Sequence, residues 1–440
     1  MRNGVVLVNP PPSTDTSFFP LGFVFLASSL EAAGIPYRIL NYSPQRYASD
    51  ALVEIGLRAM MLDEPIEKRL AVASDLTSGQ GNIVSEIADE ILSGDEALVG
   101  FSVFRTNVDV ACLVAREISR RDPGRIVVLG GPETFMQASV YGRLEGVGAV
   151  VQGEGELSLV ELCKGVAKHN KLLGLDADIA GVYISGSERA PSMPIATTGF
   201  IPLNYGILLP FIREAANKQI PLLFSKGCIF NCRFCHNSDW PGGFRTADVA
   251  MFTDQLEKLL LHIEADGNPK VEELTFALRD CSFNGSWKDC ERLCMALKKM
   301  ERQIRLEAQL VAGAQLDRDK IQILTEAGLR AASLGLESGS DRVRKAMNKP
   351  SSVSEFLACL ERLVEAGLND IEISVIVGWP DETESEYLET ANFLAQLSEM
   401  PVHVTLNLLT FFRPPSPVGA GIRKLVKTKG GSGARWIADG

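Results

Sequence analysis

Three cysteines set four and three residues apart, Cys228, Cys232 and Cys235, constrain this chain more than any other feature. They lie in the segment FSKGCIFNCRFCHNS, directly after the apolar run 221–225, so their loop leaves the end of an expected strand. Thiolates at that spacing can all turn inward on one short loop and bind three irons of one cubane cluster, although such clusters usually take four cysteines. A missing fourth protein ligand leaves one iron open to a substrate or cofactor, the logic that separates catalytic from structural metal sites. The competing reading is a zinc site completed by His236. Zinc ribbons and fingers normally present two paired knuckles, however, and this sequence has no second one.

The rest of the second half places that loop. Apolar runs at 221–225, 272–276, 305–311, 331–336, 371–377 and 403–408 alternate with helical stretches at 251–264, 287–300, 317–327, 353–366 and 384–396. Six βα units are too few for a closed eight-stranded barrel. They suit an open, six-stranded TIM-like partial barrel over 215–412, with its active face at the strand C-termini.

The first half alternates in the same way over 1–190. Short apolar runs at 4–8, 37–40, 97–101, 126–129 and 148–151 are apolar on both faces and separated by helical stretches such as 21–33 and 107–120. That pattern indicates a doubly wound parallel sheet covered on both sides, and so an α/β chain throughout. Ligand-binding loops would then be 9–12, 102–105, 130–133 and 153–156, at the strand C-termini. Residues 45–95 read as a helical excursion, 191–214 as a linker rich in Gly, Ser, Pro and Thr, and 413–440 as an atypical tail.

Composition excludes several partners. The chain has 440 residues, 46% hydrophobic and 22% charged, with a net charge of −11 and no long basic block. Duplex nucleic acid needs a clustered basic face, so it is not expected as a partner. The N-terminal apolar run is only a strand long and ends in prolines, which is neither a signal peptide nor a membrane span. Nine cysteines without a secreted-framework spacing point to a reducing, cytoplasmic location. Cys112, Cys163, Cys290, Cys294 and Cys359 fall in helical stretches and read as small buried hydrophobes. Cys281 follows a strand end and has no such simple reading.

The stretch from Cys228 to Cys235, with aromatic Phe234 before the third cysteine, resembles the signature of the radical S-adenosylmethionine (SAM) superfamily over about 215–412. The resemblance implies a [4Fe–4S] cluster whose open iron is chelated by SAM. It also implies one-electron cleavage of SAM to methionine and a 5′-deoxyadenosyl radical, with electrons from an external reductant such as a flavodoxin or ferredoxin. The protein then contributes positioning and exclusion of side reactions. The segment LGLESGS at 334–340 is similar to the family's fourth-strand motif, which implies that Glu337 and Ser338 lie near the SAM ribose or amino acid moiety. Ser338 to Asp341 can equally open a helix, leaving Glu337 a capping or solvated carboxylate. ISVIVGWP at 373–380 is similar to the fifth-strand segment beside adenine, with Gly378 allowing close approach or simply making a turn. Arg279 and Asp280 follow the second strand, where relatives aim polar groups at SAM or substrate; a surface ion pair is the plainer reading. Phe234 reads as a cofactor contact, with packing as the alternative.

The first half resembles the cobalamin-binding domain that precedes many radical SAM barrels. The matching pieces are VVLVNPPP at 5–12, PLGF at 20–23, VGFS at 99–102, LGGPE at 129–133 and GEGE at 153–156. By that resemblance Pro12, Ser102, Gly130, Gly131, Gly153 and Glu154 would line the cobalamin. One departure stands out: the Asp-x-His-x-x-Gly loop of histidine-ligated cobalamin proteins is absent, and the first histidine is His169. Either the domain binds cobalamin without a histidine ligand, or it is a scaffold that shapes the substrate pocket.

The leading expectation is a cobalamin-dependent radical SAM C-methyltransferase acting on a small metabolite or peptide. A second is a cobalamin-independent dehydratase, rearrangement or ring-forming enzyme, in which Tyr205, His236 and Asp239 are candidate proton-transfer groups. A third is a non-catalytic protein whose cysteines hold zinc to stabilise its fold.

Overall fold

The computed structural model describes residues 2–11, 20–42, 49–61, 64–78, 83–135, 137–169, 172, 179–187, 200–212, 218–235, 237, 242–267, 269–300 and 302–409. The chain forms two compact units, Met1–Ile207 and Leu208–Gly440. The expected tail, and residues 191–199 and 213–214 of the expected linker, lie outside the described residues.

The first unit is built on β1 (Val5–Asn9), β2 (Tyr37–Asn41), β3 (Leu98–Ser102), β4 (Ile126–Gly130), β5 (Ala149–Val151) and β6 (Val182–Ile184). Their order in the sheet is β2-β1-β3-β4-β5-β6, and the first five run parallel. Val5, Val6, Leu7 and Val8 are all buried, which is why β1 reads as an unbroken apolar run rather than an alternating one. Strand order reverses between β1 and β3, the kind of switch point at which a crevice opens beyond the strand C-termini. The last strand departs from the all-parallel expectation. β6 pairs antiparallel with β5 and is only three residues long, too short to announce itself by pattern.

Between β2 and β3 runs an excursion of three helices, Asp50–Met61, Ile66–Ser78 and Ile83–Leu92. It is fastened to the sheet by a buried charge pair. Arg69 on the second of these helices meets Asp109 on helix Val108–Arg121 through Nε–Oδ2 at 3.0 Å and Nη2–Oδ1 at 2.5 Å. The side chains are 1% and 3% exposed. Arg105, just past β3, donates from Nε to the Ala59 carbonyl at 2.6 Å and ties down the first helix of the excursion.

The second unit contains β7 (Gln219–Leu222), β8 (Ser225–Lys226), β9 (Arg245–Thr246), β10 (Thr275–Leu278), β11 (Arg305–Leu310), β12 (Leu329–Glu337), β13 (Asp370–Val377) and β14 (Val402–Leu408). β7 and β10 to β14 make one six-stranded parallel sheet, the partial barrel, while β8 and β9 form a small antiparallel pair beside it. In β11, Leu306, Ala308 and Leu310 are buried under the helical layer, so Glu307 and Gln309 take the opposite, inner face. The strand expected at 272–276 starts at Thr275 because Val271–Glu273 closes a 3-10 turn first. Helix starts follow capping chemistry. Asp248 and Asp317 accept from the N–H three residues on, and Ser352 with Glu355 and Thr383 with Glu386 form capping boxes. No helix among the described residues is long and apolar enough to cross a membrane.

Asp109→Ala strands the Arg69 guanidinium without its partner inside the first unit, and removing one member of a buried pair costs about 3–5 kcal/mol. Urea unfolding should show a lower midpoint for the first unit, with the second unit's transition unmoved.

Candidate active site

The loop that carries the three cysteines is pinned at both ends. Ahead of it, Asp280 at the end of β10 accepts from the Phe224 N–H at 3.2 Å and from the Ser225 N–H. The Ala247 N–H donates to the Phe224 carbonyl at 2.8 Å, joining the approach to β9. Gly227, one residue before Cys228, has φ +75°, and a Cβ there would overlap the Gly243 carbonyl, so only glycine serves. Within the loop the Cys235 N–H bonds back to the Cys232 carbonyl at 3.0 Å.

The far side is held by the turn after helix Asp341–Ala346. The Arg233 N–H donates to the Met347 carbonyl at 2.9 Å, and its Nη1 to the Ala346 carbonyl at 3.2 Å. The Asn348 amide donates to the Asn231 carbonyl at 3.2 Å and its Oδ1 at 2.6 Å. Phe234 packs against Val343, Met347, Ile376 and Trp379, with the Lys349 ammonium 6.0 Å from its ring centroid.

All three cysteines are free thiols, with Cys232 buried and the others half-buried. Burial pushes the Cys232 thiol up to about 11, and the nearby thiols of Cys235 and Cys228 add to the rise while Lys349 opposes it. Cys235 is raised chiefly by burial as well, with Cys228 and Glu337 adding to the rise. The three sulfurs thus feel one another in a partly dry pocket. Among the described residues no three His, Cys, Asp or Glu side chains stand at metal-ligand spacing. The fit to a cluster rests on the donor set: three thiols on one pinned turn, with no described histidine beside them.

Two features of β12 complete the site. Glu337 ends that strand with φ +68°, a region costly for a side-chain-bearing residue, where the register against β13 shifts. Its carboxylate is buried and meets the Lys349 ammonium at 3.3 Å. A Cβ on Gly335 would overlap both groups, so that glycine makes room for the pair. Ser338 is fully buried, and its hydroxyl accepts from the Ser340 N–H at 3.1 Å and lies 3.3 Å from the Thr390 hydroxyl. Gly378 ends β13 at φ +94°, a turn that favours glycine.

The other expected residues sort as follows. Asp280 is fully buried with its carboxylate committed to two backbone N–H groups, so it anchors the loop. Arg279 pairs with Glu307 at 3.1 Å and Gln219 at 2.7 Å on the inner barrel face, not on the outer surface. Ser102, Gly130, Gly131, Gly153 and Glu154 gather at the C-terminal edge of the first sheet. Tyr205 is 1% exposed in a short 3-10 helix of the first unit. Pro12, His236 and Asp239 lie outside the described residues.

Three further residues are assigned no role from sequence. Lys349 lies twelve residues beyond Glu337, marked only by a polar Asn-Lys-Pro break between helical stretches. Cys281 receives an amide hydrogen bond from Asn237 at 3.1 Å, and its thiol is pushed to about 12 by burial and then by Cys228 and Cys235. Glu382, just past β13, has its carboxyl raised to about 7 by burial and then by neighbouring Glu386, and so can hold or release a proton near neutrality.

With that geometry in hand, comparison with known proteins is decisive for the barrel. Residues 222–394 match the Radical SAM superfamily. The barrel is a radical SAM domain. Its cofactors are a [4Fe–4S] cluster and SAM, and it is an enzyme. A methyltransferase of Pyrococcus horikoshii, itself uncharacterised, is 27% identical over 338 residues, covering 74% of this chain and 68% of the relative. The anaerobic magnesium-protoporphyrin IX monomethyl ester cyclase of Cereibacter sphaeroides is 27% identical over 285 residues, covering 61% of this chain and 44% of the relative. Among solved structures, the radical SAM methyltransferase TsrM of Kitasatospora setae superposes with a TM-score of 0.67 at 18% identity, covering 96% of this chain and 76% of TsrM. At that identity the likeness is one of fold, and it extends through the first unit of this radical SAM enzyme.

The anchor role of Asp280 is testable. Asp280→Ala leaves two buried N–H groups without an acceptor, at about 1–3 kcal/mol each. Thermal unfolding should shift down and less iron should remain after cluster reconstitution. Burial also raises the Asp280 carboxyl from 3.8 to about 6. A raised acid contributes stability at low pH that is lost as pH rises through the folded value. Wild type should therefore lose stability between about pH 4 and 6 relative to Asp280→Asn, measured by denaturation at each pH.

Proposed function

We propose that this radical SAM enzyme is a cobalamin-dependent C-methyltransferase acting on a small metabolite or peptide. One observation carries the reading: a single chain joins the radical SAM barrel to a doubly wound domain, and both together follow the fold of TsrM, which has been seen with cobalamin and a [4Fe–4S] cluster bound. The methyltransferase relative from Pyrococcus horikoshii supports the reaction type.

The cluster and SAM together supply a 5′-deoxyadenosyl radical, and cobalamin supplies a methyl carrier. The chain's own residues do the rest. Cys228, Cys232 and Cys235 would hold three irons, on a turn fixed by Asp280, Arg233 and Asn348. Glu337 and Lys349 offer a carboxylate and an ammonium side by side, the pair of charges that suits an amino acid moiety. In the first unit Gly131 and Gly153 take φ +116° and +80°, and a Cβ on Gly131 would overlap the backbone of Val103. A flat cofactor at that edge would meet backbone and small residues, with no imidazole available from residues 1–168.

A second reading keeps the radical and changes the outcome. The cyclase relative favours ring-forming or oxidative chemistry on the same scaffold. Product stoichiometry separates the two. After anaerobic cluster reconstitution, addition of hydroxocobalamin and turnover with a one-electron reductant, the methyltransferase yields S-adenosylhomocysteine and 5′-deoxyadenosine in equal amounts. Formation of 5′-deoxyadenosine alone supports the cyclase-type reading. Replacing Cys228, Cys232 and Cys235 together by alanine should abolish both products and the broad visible absorption of the cluster. Zinc in place of iron by elemental analysis, with no SAM cleavage, would leave only a metal-stabilised binding protein.

A further inference from the structure

Among the described residues the inner face of the barrel is polar, and its charges are paired with one exception. Glu307 on β11 meets Arg279 at 3.1 Å. Asp370, at the start of β13, lies 3.4 Å from Arg305 and 3.9 Å from His403. Glu337 has Lys349. Glu372, the third residue of β13, is exposed, and no ion pair joins it to a lysine, arginine or histidine among the described residues.

What Glu372 does have is two hydroxyls. Ser333 on β12 donates from Oγ to its Oε2 at 3.1 Å, and Thr405 on β14 donates from Oγ1 to its Oε1 at 2.7 Å. Strand register makes this arrangement local: Ser333 on β12 and His403 on β14 lie directly across from Glu372, with the His403 ring nitrogen near Asp370, and Thr405 lies across from Ser374. One position further up, the Asn407 amide donates to the Ser374 hydroxyl at 3.0 Å. The hydroxyl protons of Ser333 and Thr405 are thus spent on the carboxylate. An ionised carboxylate has about four lone-pair positions and a hydroxyl oxygen two, so the array turns mainly acceptors toward the open inner face. Ile371, Ile373 and Val375 on the opposite side of β13 are buried, which leaves that inner face as the side a ligand can reach.

We propose that Glu372, with Ser333 and Thr405, is the subsite for a positively charged nitrogen of the substrate, an amino or guanidino group. The inference rests on the radical SAM reading of the barrel, whose inner face takes the substrate, and it narrows the substrate class to cationic compounds or peptides. An ammonium supplies up to three donors and a compensating charge, the two things the array lacks. A neutral polyol would satisfy the lone pairs and leave the carboxylate without a counter-charge.

The test uses a matched probe pair, phenethylamine and 2-phenylethanol, which differ only in an ammonium against a hydroxyl. Binding to the reconstituted holoenzyme with SAM is measured by equilibrium dialysis at pH 7. The amine should bind at least tenfold more tightly than the alcohol, and Glu372→Gln should erase that preference. Glutamine keeps one acceptor oxygen and turns an amide donor toward the other hydroxyl oxygen, and the variant's thermal midpoint and cluster absorption verify that it is folded and loaded. Thr405→Val should weaken amine binding to a smaller degree. Equal retention of the two probes by wild type, including retention of neither, overturns the proposal, as does an amine preference that survives Glu372→Gln. Reductive SAM cleavage by wild type without any probe is assayed in parallel. Its absence sinks the radical reading while leaving the binding comparison to stand on its own result.

Discussion

Everything in the barrel depends on holding a short cysteine turn whose own residues cannot hold it. The segment from Cys228 to Cys235 makes an internal turn bond, Cys235 N–H to Cys232 carbonyl, and draws further fixtures from distant parts of the chain. Asp280 takes two backbone N–H groups just ahead of it, and the Ala346–Asn348 turn takes Arg233 and Asn231. Buried backbone donors left without acceptors are costly, so the turn reaches its shape only once β10 and the helix after β12 are in place. Cluster assembly is in this sense a property of the finished barrel.

The same economy governs charge. Lys349 lies against Glu337, above the Phe234 ring, and close enough to Cys232 and Cys235 to oppose the burial that raises their thiols. A single cation therefore serves a carboxylate and a sulfur pocket that would otherwise gather negative charge in a region of low dielectric. Glu337 accepts a left-handed backbone at φ +68° to reach that cation. Strain of this kind persists where surrounding structure over-determines it, and here Arg344, fully buried, clamps the turn by bonding the carbonyls of Leu336 and Ser351. Sites elsewhere on the inner face follow the rule of one cation per carboxylate, which is what makes Glu372 conspicuous.

Much of this was legible in the sequence, for definable reasons. The strands announced themselves in two ways: β1, covered on both faces, is an unbroken apolar run, while β13 alternates buried Ile and Val with the polar residues of its open face. That the three cysteines share one loop after β7 is legible because their spacing is local, whereas the partners that pin the loop are not. The features that stayed hidden are those that depend on tertiary partners. β6 is three residues that become a strand only against β5. Asp280 looked like a ligand because it follows a strand end, and only the fold shows its carboxylate bound to Phe224 and Ser225. Phe234 shows why position within a motif underdetermines role, because a ring beside a cofactor loop and a ring locking that loop down look alike in one dimension. Lys349 carries no local signature, since its significance lies in what meets it across space.

The first unit extends the argument to a site made of shape. Its sheet edge is rigid for reasons unrelated to any ligand: Gly131 is pressed against the Val103 backbone, and Glu133 accepts from the Tyr141 hydroxyl at 2.5 Å and pairs with Arg105 at 3.4 Å. Arg105 in turn holds the helical excursion by the Ala59 carbonyl, and Arg69 holds it again through Asp109. The polar side chains nearest the strand ends are thus largely engaged with one another. At Gly130, Gly131 and Gly153 that edge consists of backbone without side chains of its own. Recognition by backbone and shape tolerates a large planar ligand and supplies no metal ligand, which is the chemistry that a first unit lacking histidine before position 169 can offer.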